Sequence, residues 1–164
     1  MTSSTNHFPF AIAELPAADN RVESLFRKSF GAPAPTIPRH FIAFRIGDLE
    51  RAAGYVHYTS YGPGLFLLGG LCVDASIYRM LSSSERRQVS DVGSLSRWLM
   101  KQSIAELGAM RAVFGYTGDV RSRRDILAIG FTQAAIPYLF AQWHSEPTSM
   151  RERTIGEVAA LGPF

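Results

Sequence analysis

The sequence predicts an α+β fold in which one mixed, mostly antiparallel sheet is flanked by helices. Short apolar segments and segments with helical spacing follow one another in the order β-α-β-β-β-α-β-α-β-α. Strands two, three and four of this order are joined by short turns, so they should pair antiparallel. A helix separates strands four and five, which permits these two strands to run parallel.

The composition is that of one folded domain. The chain has 164 residues, of which 46% are hydrophobic and 19% are charged, as in ordinary globular proteins. We predict a disordered N-terminus over residues 1–7 and a single domain over residues 8–164. The net charge of +3 permits an anionic ligand but does not require nucleic acid. The single cysteine, Cys72, excludes an intrachain disulfide and a cysteine-cluster metal site.

The sequence also restricts the compartment and the metal chemistry. No apolar stretch reaches the roughly 18 residues of a membrane span. The first residues lack the charged and apolar regions of a signal peptide. We therefore expect a soluble, cytoplasmic protein with no membrane partner. His40, His57 and His144 share no ligand spacing, so no metal site is expected.

The first half of the chain predicts four strands and one helix. The strands are expected at residues 8–15, 41–46, 52–60 and 65–74. The helix begins near Asp19 or Asn20, has apolar residues at helical spacing and ends at Gly31. A proline-rich loop follows over residues 32–38. The fourth strand is continuously apolar, which is typical of a buried central strand. Its Gly69-Gly70 pair predicts a bulge or a close approach of backbone.

The second half predicts three longer helices and two further strand regions. The helices are expected at residues 94–107, 121–129 and 148–161, and the strands at 111–115 and 132–144. The last strand region is either one long strand or two strands broken near Pro137. The run from Ser82 to Glu85 predicts the cap of an additional short helix. The final helix covers a sheet edge or packs on a second copy of the chain, which leaves a homodimer open; we favour edge cover.

Two stretches resemble a known family. Residues 71–74 (LCVD), followed by Tyr78-Arg79, resemble the strand-four exit of the GNAT superfamily of acyl-CoA-dependent N-acyltransferases. Residues 119–131 (DVRSRRDILAIGF), ending in Gly130-Phe131, resemble the sequence around that family's last conserved helix. Together with the order of the elements, the resemblance covers about residues 8–144.

This resemblance implies acetyl-CoA or another acyl-CoA as co-substrate and a small-molecule or peptide amine as acceptor. Strands four and five would splay apart, and the pantetheine arm would pair with the backbone near Leu71, Cys72 and Val73. The pyrophosphate would lie at the start of the next long helix, at Gly93 and Ser94, because free amides and the helix dipole bind anions. Arg79, in the intervening loop, is expected to face that pyrophosphate, since arginine suits phosphate.

The chain departs from the family's pattern at two chemical positions. Residues 90–95 (SDVGSL) best match the pyrophosphate loop Gln/Arg-x-x-Gly-x-Gly/Ala, and Leu95 replaces the second glycine. Ile126 stands where the family has the tyrosine that protonates the leaving thiolate. Tyr116 and Tyr138 are the alternatives for that proton.

Tyr116 and Asp119 are the candidate catalytic residues, because both lie just past strand five. Asp119 replaces the family's usual asparagine there. His57 or His144 could serve as the base for the amine, although a structural histidine is the ordinary interpretation. Cys72 is best explained as a small buried apolar residue rather than a nucleophile.

Three functions stay open on the sequence. The first is an N-acyltransferase. The second is a catalytically inactive binding or regulatory domain, which Ile126 and the altered loop suggest. The third is a nucleic-acid-associated domain that uses the arginines at positions 121, 123 and 124, which the mild net charge disfavours. Surface charges of this kind are usually only solvated.

Overall fold

The computed structural model describes residues 8–36 and 39–164. In chain order its elements are β1 (Phe10–Leu15), α1 (Asn20–Phe30), β2 (Arg39–Arg45), β3 (Gly54–Ser60), β4 (Leu65–Val73), α2 (Ile77–Met80), α3 (Ser83–Asp91), α4 (Leu95–Ala105), β5 (Ala112–Tyr116), α5 (Val120–Ala128), β6 (Thr132–Gln133), β7 (Leu139–Trp143) and α6 (Thr148–Ala159). The N-terminal segment predicted to be disordered lies outside the described residues, as do positions 37 and 38 of the predicted loop.

The strands form one seven-stranded sheet in the order β1-β2-β3-β4-β5-β7-β6. The β4–β5 pair is parallel, and the other neighbouring pairs are antiparallel. The mixed, mostly antiparallel sheet predicted from the sequence is therefore confirmed. Of the two alternatives for residues 132–144, the structure has two strands, β6 and β7, on either side of Pro137.

Local sequence signals place the helix ends. Asp19 caps α1, since its carboxylate accepts hydrogen bonds from the amides of Arg21 and Val22, and Gly31 ends the helix with a φ of 69°. Ser82 and Glu85 form the predicted capping box at the start of α3.

No helix of the described part of the chain combines the length and the apolar character needed to cross a membrane.

One face of the sheet is covered by α4 and α5. Leu99 and Met100 of α4 and Ile126 of α5 are buried against Phe66 and Leu68 of β4. This cluster continues across the inner strands and forms the largest part of the core. This packing fixes the position of α5 relative to the end of β4.

The opposite face is covered by α1 and α6. The apolar side of α1 packs against Tyr55 and Cys72, whereas Val158 of α6 packs against Leu65, Leu67 and neighbouring residues of β5 and β7. The prediction that the last helix covers an edge is therefore wrong, because the sheet edges are β1 and β6. Ile155 and Ala159 pack against the same cluster as Val158 and complete the inner side of α6.

A bulge interrupts β4 at the two glycines that the sequence singled out. Tyr55 of β3 pairs with Cys72, but His57 pairs with Gly69, so the register shifts between them. Gly70 has a φ of 57°, in the left-handed region. A Cβ atom at Gly69 or Gly70 would lie 2.6 Å or less from the His57 ring. The predicted bulge and the predicted close approach are thus both present.

The bulge ends the contact between β4 and β5. Their parallel register runs from Leu65 opposite Ala112 to Leu68 opposite Gly115. Beyond that point β4 continues to Val73, while β5 continues to Tyr116 in register with β7. The two strands therefore separate at their carboxyl ends and leave a gap in the sheet.

Candidate active site

A cleft of about 290 Å³ occupies the gap between β4 and β5. One wall is the strand segment 68–71, and the other is formed by the end of β5, the segment after it and α5 as far as Ile126. The remaining lining residues are apolar side chains from three other parts of the chain: Phe30, Met100 and Phe164. The cleft thus combines an unpaired strand edge with mostly apolar walls, as ligand sites commonly do.

The three predicted pantetheine contacts differ in where their side chains point. Leu71 lines the cleft. Cys72 is buried on the opposite face, and this burial raises the pKa of its thiol to about 11. Val73 packs in the apolar cluster around Ile77 and Leu95. Any role of Cys72 and Val73 in the cleft would therefore be through their backbone.

Tyr116 ends β5 and lines the cleft. Its half-buried ring meets the ring of Phe164 edge-on, with 6.0 Å between the centroids. The other tyrosine considered, Tyr138, is exposed at a left-handed turn position with a φ of 65° and lies outside the cleft lining. Of the two phenols, Tyr116 is thus the one placed to contact a molecule in the cleft.

Asp119 lies at the rim of the cleft as the N-cap of α5. Its carboxylate accepts a hydrogen bond of 2.7 Å from the Ser122 amide. This bond lowers the pKa of the carboxyl below its ordinary value, so Asp119 is ionised at neutral pH. An ionised cap is a poor proton donor, but it places a negative charge at the rim of the cleft.

Ile126 places an aliphatic side chain in the cleft. The side chain is buried, lines the cleft and packs on Gly115, where a Cβ would lie 2.6 Å from Ile126 Cδ1. Glycine at this point of β5 makes room for the isoleucine. The floor of the cleft between β5 and α5 is therefore aliphatic.

The start of α4 is occupied by groups of the chain itself. Ser94 is the N-cap, and its Oγ accepts a hydrogen bond from the Arg97 amide at 3.0 Å. The Leu95 amide donates to the Tyr78 hydroxyl at 3.2 Å. Gly93 has a φ of 95°, and the Arg97 guanidinium packs over it. These residues do not fit a diphosphate at the helix start in this arrangement.

Arg79 does not join Gly93 and Ser94. It is exposed in α2 and lines a shallow depression on the α1 side with Lys28 and Asp74. The reason is local: Ile77 is buried, and Arg79, two positions later in the helix, lies on the opposite, exposed side. The structure therefore brings Tyr116, Asp119 and Leu71 together, but separates Arg79 from the predicted phosphate loop.

Several cleft residues were not singled out from the sequence. Phe30 ends α1, Thr117 follows β5, and Phe164 follows α6. Thr117 Oγ1 accepts a hydrogen bond from the Asp119 amide at 3.2 Å. Phe30 and Phe164 are distant in sequence from the family motifs, so no local pattern identifies them.

His57 lies behind β4, where it faces the two bulge glycines, His40 across the strand pair and Phe26 of α1. Burial, with a smaller effect of His40, lowers its pKa from 6.5 to about 4. His57 Nδ1 and His40 Nε2 are buried without a hydrogen-bond partner among the described residues. Both rings are therefore neutral at pH 7.

The free energy of unfolding should fall as the pH drops from about 6.5 towards 4. In this range the unfolded chain protonates His57 while the folded chain does not, so acid favours unfolding. The shift corresponds to about 2–3 kcal/mol at pH 4.5. Urea unfolding of the wild type and His57→Gln between pH 7 and 4.5 measures the effect. Equal pH slopes in the two proteins would contradict it.

The fold is similar to that of several solved structures. No protein-family model matches the chain, and no curated protein matches its sequence. A GNAT family acetyltransferase from Elizabethkingia anophelis with acetyl-CoA bound superposes with a TM-score of 0.58 at 10% identity, covering 83% of this chain and 99% of that one. A protein from Desulfovibrio desulfuricans assigned as a GNAT acetyltransferase gives 0.55 at 19% identity, covering 81% and 99%.

A third similar structure also contains a ligand. It is a protein from E. coli assigned as an N-acetyltransferase and bound to coenzyme A, with a TM-score of 0.53 at 16% identity, covering 82% of this chain and 98% of that one. At these identities the likeness concerns the backbone architecture. The chain has the fold of the GNAT acetyltransferases.

Proposed function

We propose that this protein transfers an acyl group from acetyl-CoA or another acyl-CoA to the nitrogen of an amine. One observation carries the proposal: the bulge at Gly70 opens the sheet between β4 and β5 and leaves a strand edge beside Tyr116. A pantetheine arm carries amide groups that can hydrogen-bond to such an edge as an added strand would. The fold shared with structures that contain coenzyme A or acetyl-CoA supports it.

The chain's own groups have distinct roles in this proposal. A bound acyl donor supplies a thioester carbonyl that an amine can attack. The backbone of residues 69–71 orients the donor, and Phe30 and Phe164 exclude water from the cleft. Tyr116 holds its hydroxyl at the cleft and donates a proton to the departing sulfur. Asp119 attracts the protonated amine to the rim through its negative charge. The amine releases one proton to water before it attacks the carbonyl carbon, and the proton that its nitrogen loses as the C–S bond breaks restores the Tyr116 hydroxyl.

Binding of acetyl-CoA by calorimetry, followed by an assay of thiol release with a panel of amines, tests this function. We expect Ser122→Trp to abolish binding, because Ser122 lines the cleft and an indole there fills it. Arg123→Trp is the matched control, since Arg123 is the next residue of α5 but is exposed and outside the cleft. No binding and no thermal shift with millimolar acetyl-CoA would reject the proposal.

A catalytically inactive binding domain is the second candidate. Ile126 favours it, because the buried isoleucine replaces the proton donor that the family pattern provides. This alternative predicts that the ligand binds without release of thiol for any amine. The same assay therefore separates the two functions. A cytoplasmic location and a homodimer stay predictions of the sequence.

A further inference from the structure

The cleft between β4 and β5 is lined from both faces of the sheet. Leu68, Met100 and Ile126 belong to the apolar cluster that α4 and α5 cover. Tyr116 and Phe164 pack against the cluster on the opposite face, which α6 covers. The cleft therefore has an aliphatic end on the first face and an aromatic end on the second.

Three rings from separate elements form the aromatic end. Phe30 comes from α1, Tyr116 from β5 and Phe164 from the segment after α6. The rings of Tyr116 and Phe164 meet edge-on, and the Phe30 ring packs on the buried ring of Phe26, with 4.6 Å between the centroids. These contacts position the rings without a ligand. Phe30 is nevertheless 49% exposed, so it keeps apolar surface that a ligand can cover.

The substituent of the acceptor amine would lie at this aromatic end. In the proposed reaction the Tyr116 hydroxyl protonates the sulfur of the thioester, so the carbonyl carbon bonded to that sulfur is close to the three rings. The amine nitrogen bonds to this same carbon. With an acetyl donor the acyl substituent is only a methyl group, and the larger group beside the rings is therefore that of the amine.

The charge of the cleft restricts that amine further. Asp119 is the one charged side chain among the described residues that line the cleft. Its carboxylate accepts a hydrogen bond from the Ser122 amide, and Arg121, which has the smallest effect on its pKa, lies outside the lining. The described lining thus offers one negative charge and apolar surface, but no cation that could pair with a carboxylate or phosphate of the acceptor.

We infer that Phe30 and Phe164 are specificity-determining residues, which select as acceptor a primary amine whose only other group is apolar. The inference rests on the proposed acyl transfer. In the overall reaction an ammonium ion and a thioester give an amide, a thiol and one proton, as the new N–C bond replaces the C–S bond. Amino acids and phosphorylated amines are poor acceptors on this inference, because their anionic groups face Asp119.

Rates of thiol release from acetyl-CoA with three amines test the inference. The probes are 2-phenylethylamine, propylamine, which lacks the ring, and phenylalanine, which adds a carboxylate. In the wild type we expect kcat/KM for 2-phenylethylamine to exceed each of the other two by about tenfold or more. In Phe164→Ala and in Phe30→Ala we expect the ratio of 2-phenylethylamine to propylamine to fall by about fivefold. The change should appear in KM for 2-phenylethylamine, because ring contacts of this kind stabilise the bound amine and the transition state alike.

Leu161→Ala is the matched control for Phe164→Ala. Leu161 is exposed in the same segment and lies outside the cleft lining, so its loss should leave the ratio unchanged. If Phe164→Ala does not fold, Phe30→Ala decides the inference, because Phe30 belongs to a different element and packs on Phe26.

The outcomes separate the inference from the proposed function. Values of kcat/KM within about threefold of one another for the three amines in the wild type overturn the inference. A wild-type preference for propylamine or phenylalanine also overturns it, as does an unchanged ratio in both Phe164→Ala and Phe30→Ala. Each of these results includes acyl transfer to an amine, so the proposed function stands. Absence of thiol release with every amine rejects both.

Discussion

Replacement of Tyr116 by phenylalanine should lower acyl transfer by about a hundredfold or more, the usual effect of losing a positioned proton donor. The ring remains to pack on Phe164, so the cleft keeps its shape and the donor keeps its affinity. The floor beside it is the aliphatic Ile126, which cannot replace the lost hydroxyl. Rates of thiol release and calorimetric affinities, measured on the same samples, separate the loss of turnover from any loss of binding.

Tyr138→Phe is the matched control for this substitution. Tyr138 is a neighbouring exposed phenol outside the cleft, so its loss should leave turnover unchanged. Turnover of Tyr116→Phe within about threefold of the wild type would exclude Tyr116 as the proton donor. A fall in Tyr138→Phe instead would move that role to the turn before β7.

The second large effect is expected at the bulge. Gly70→Val should lower the free energy of unfolding by about 3 kcal/mol or more, because two costs add. The backbone of Gly70 is left-handed, which a β-branched residue rarely adopts. A Cβ would also lie 2.5 Å from the His57 ring and 2.6 Å from Phe26. Urea unfolding monitored by circular dichroism gives the difference from the wild type.

Gly62→Val separates the two costs. Gly62 is also left-handed, with a φ of 95°, but nothing lies within 4 Å of a Cβ there. Its substitution therefore reports the backbone cost alone, and the excess loss in Gly70→Val reports the overlap with His57 and Phe26. Equal losses in the two variants would show that the close packing behind the bulge does not constrain Gly70.

Much of the architecture could be predicted because its signals are local. The continuous apolar run of β4, the glycine pair within it and the capping residues Asp19 and Ser82 each act within a few residues. The position of α6 could not be predicted in this way. Its sequence shows that one side is apolar, but an apolar side packs equally well on an edge or on a face, and only the completed sheet decides between them.

The residues of the candidate site could also be predicted only where their signal in the sequence is local. Tyr116 and Asp119 were identified because they follow a strand directly. Asp125 follows two arginines in the sequence, and it does lie 3.8 Å from Arg124. Its main contacts are instead with Ser94 and Arg97, which are distant in sequence and approach only when α4 and α5 pack together. Contacts of this kind leave no periodic or spacing signal.

The short parallel register between β4 and β5 has a consequence for the order of folding. The strands from β1 to β4 form a meander whose pairings close short loops, apart from the α1 connection. The contact of Leu68 with Gly115 instead closes a loop that contains three helices. Such non-local contacts form slowly, because the chain entropy of closure is lost before they stabilise anything. The cleft therefore depends on a non-local contact, because one of its walls comes from β5 and α5, and these join β4 only when this loop closes.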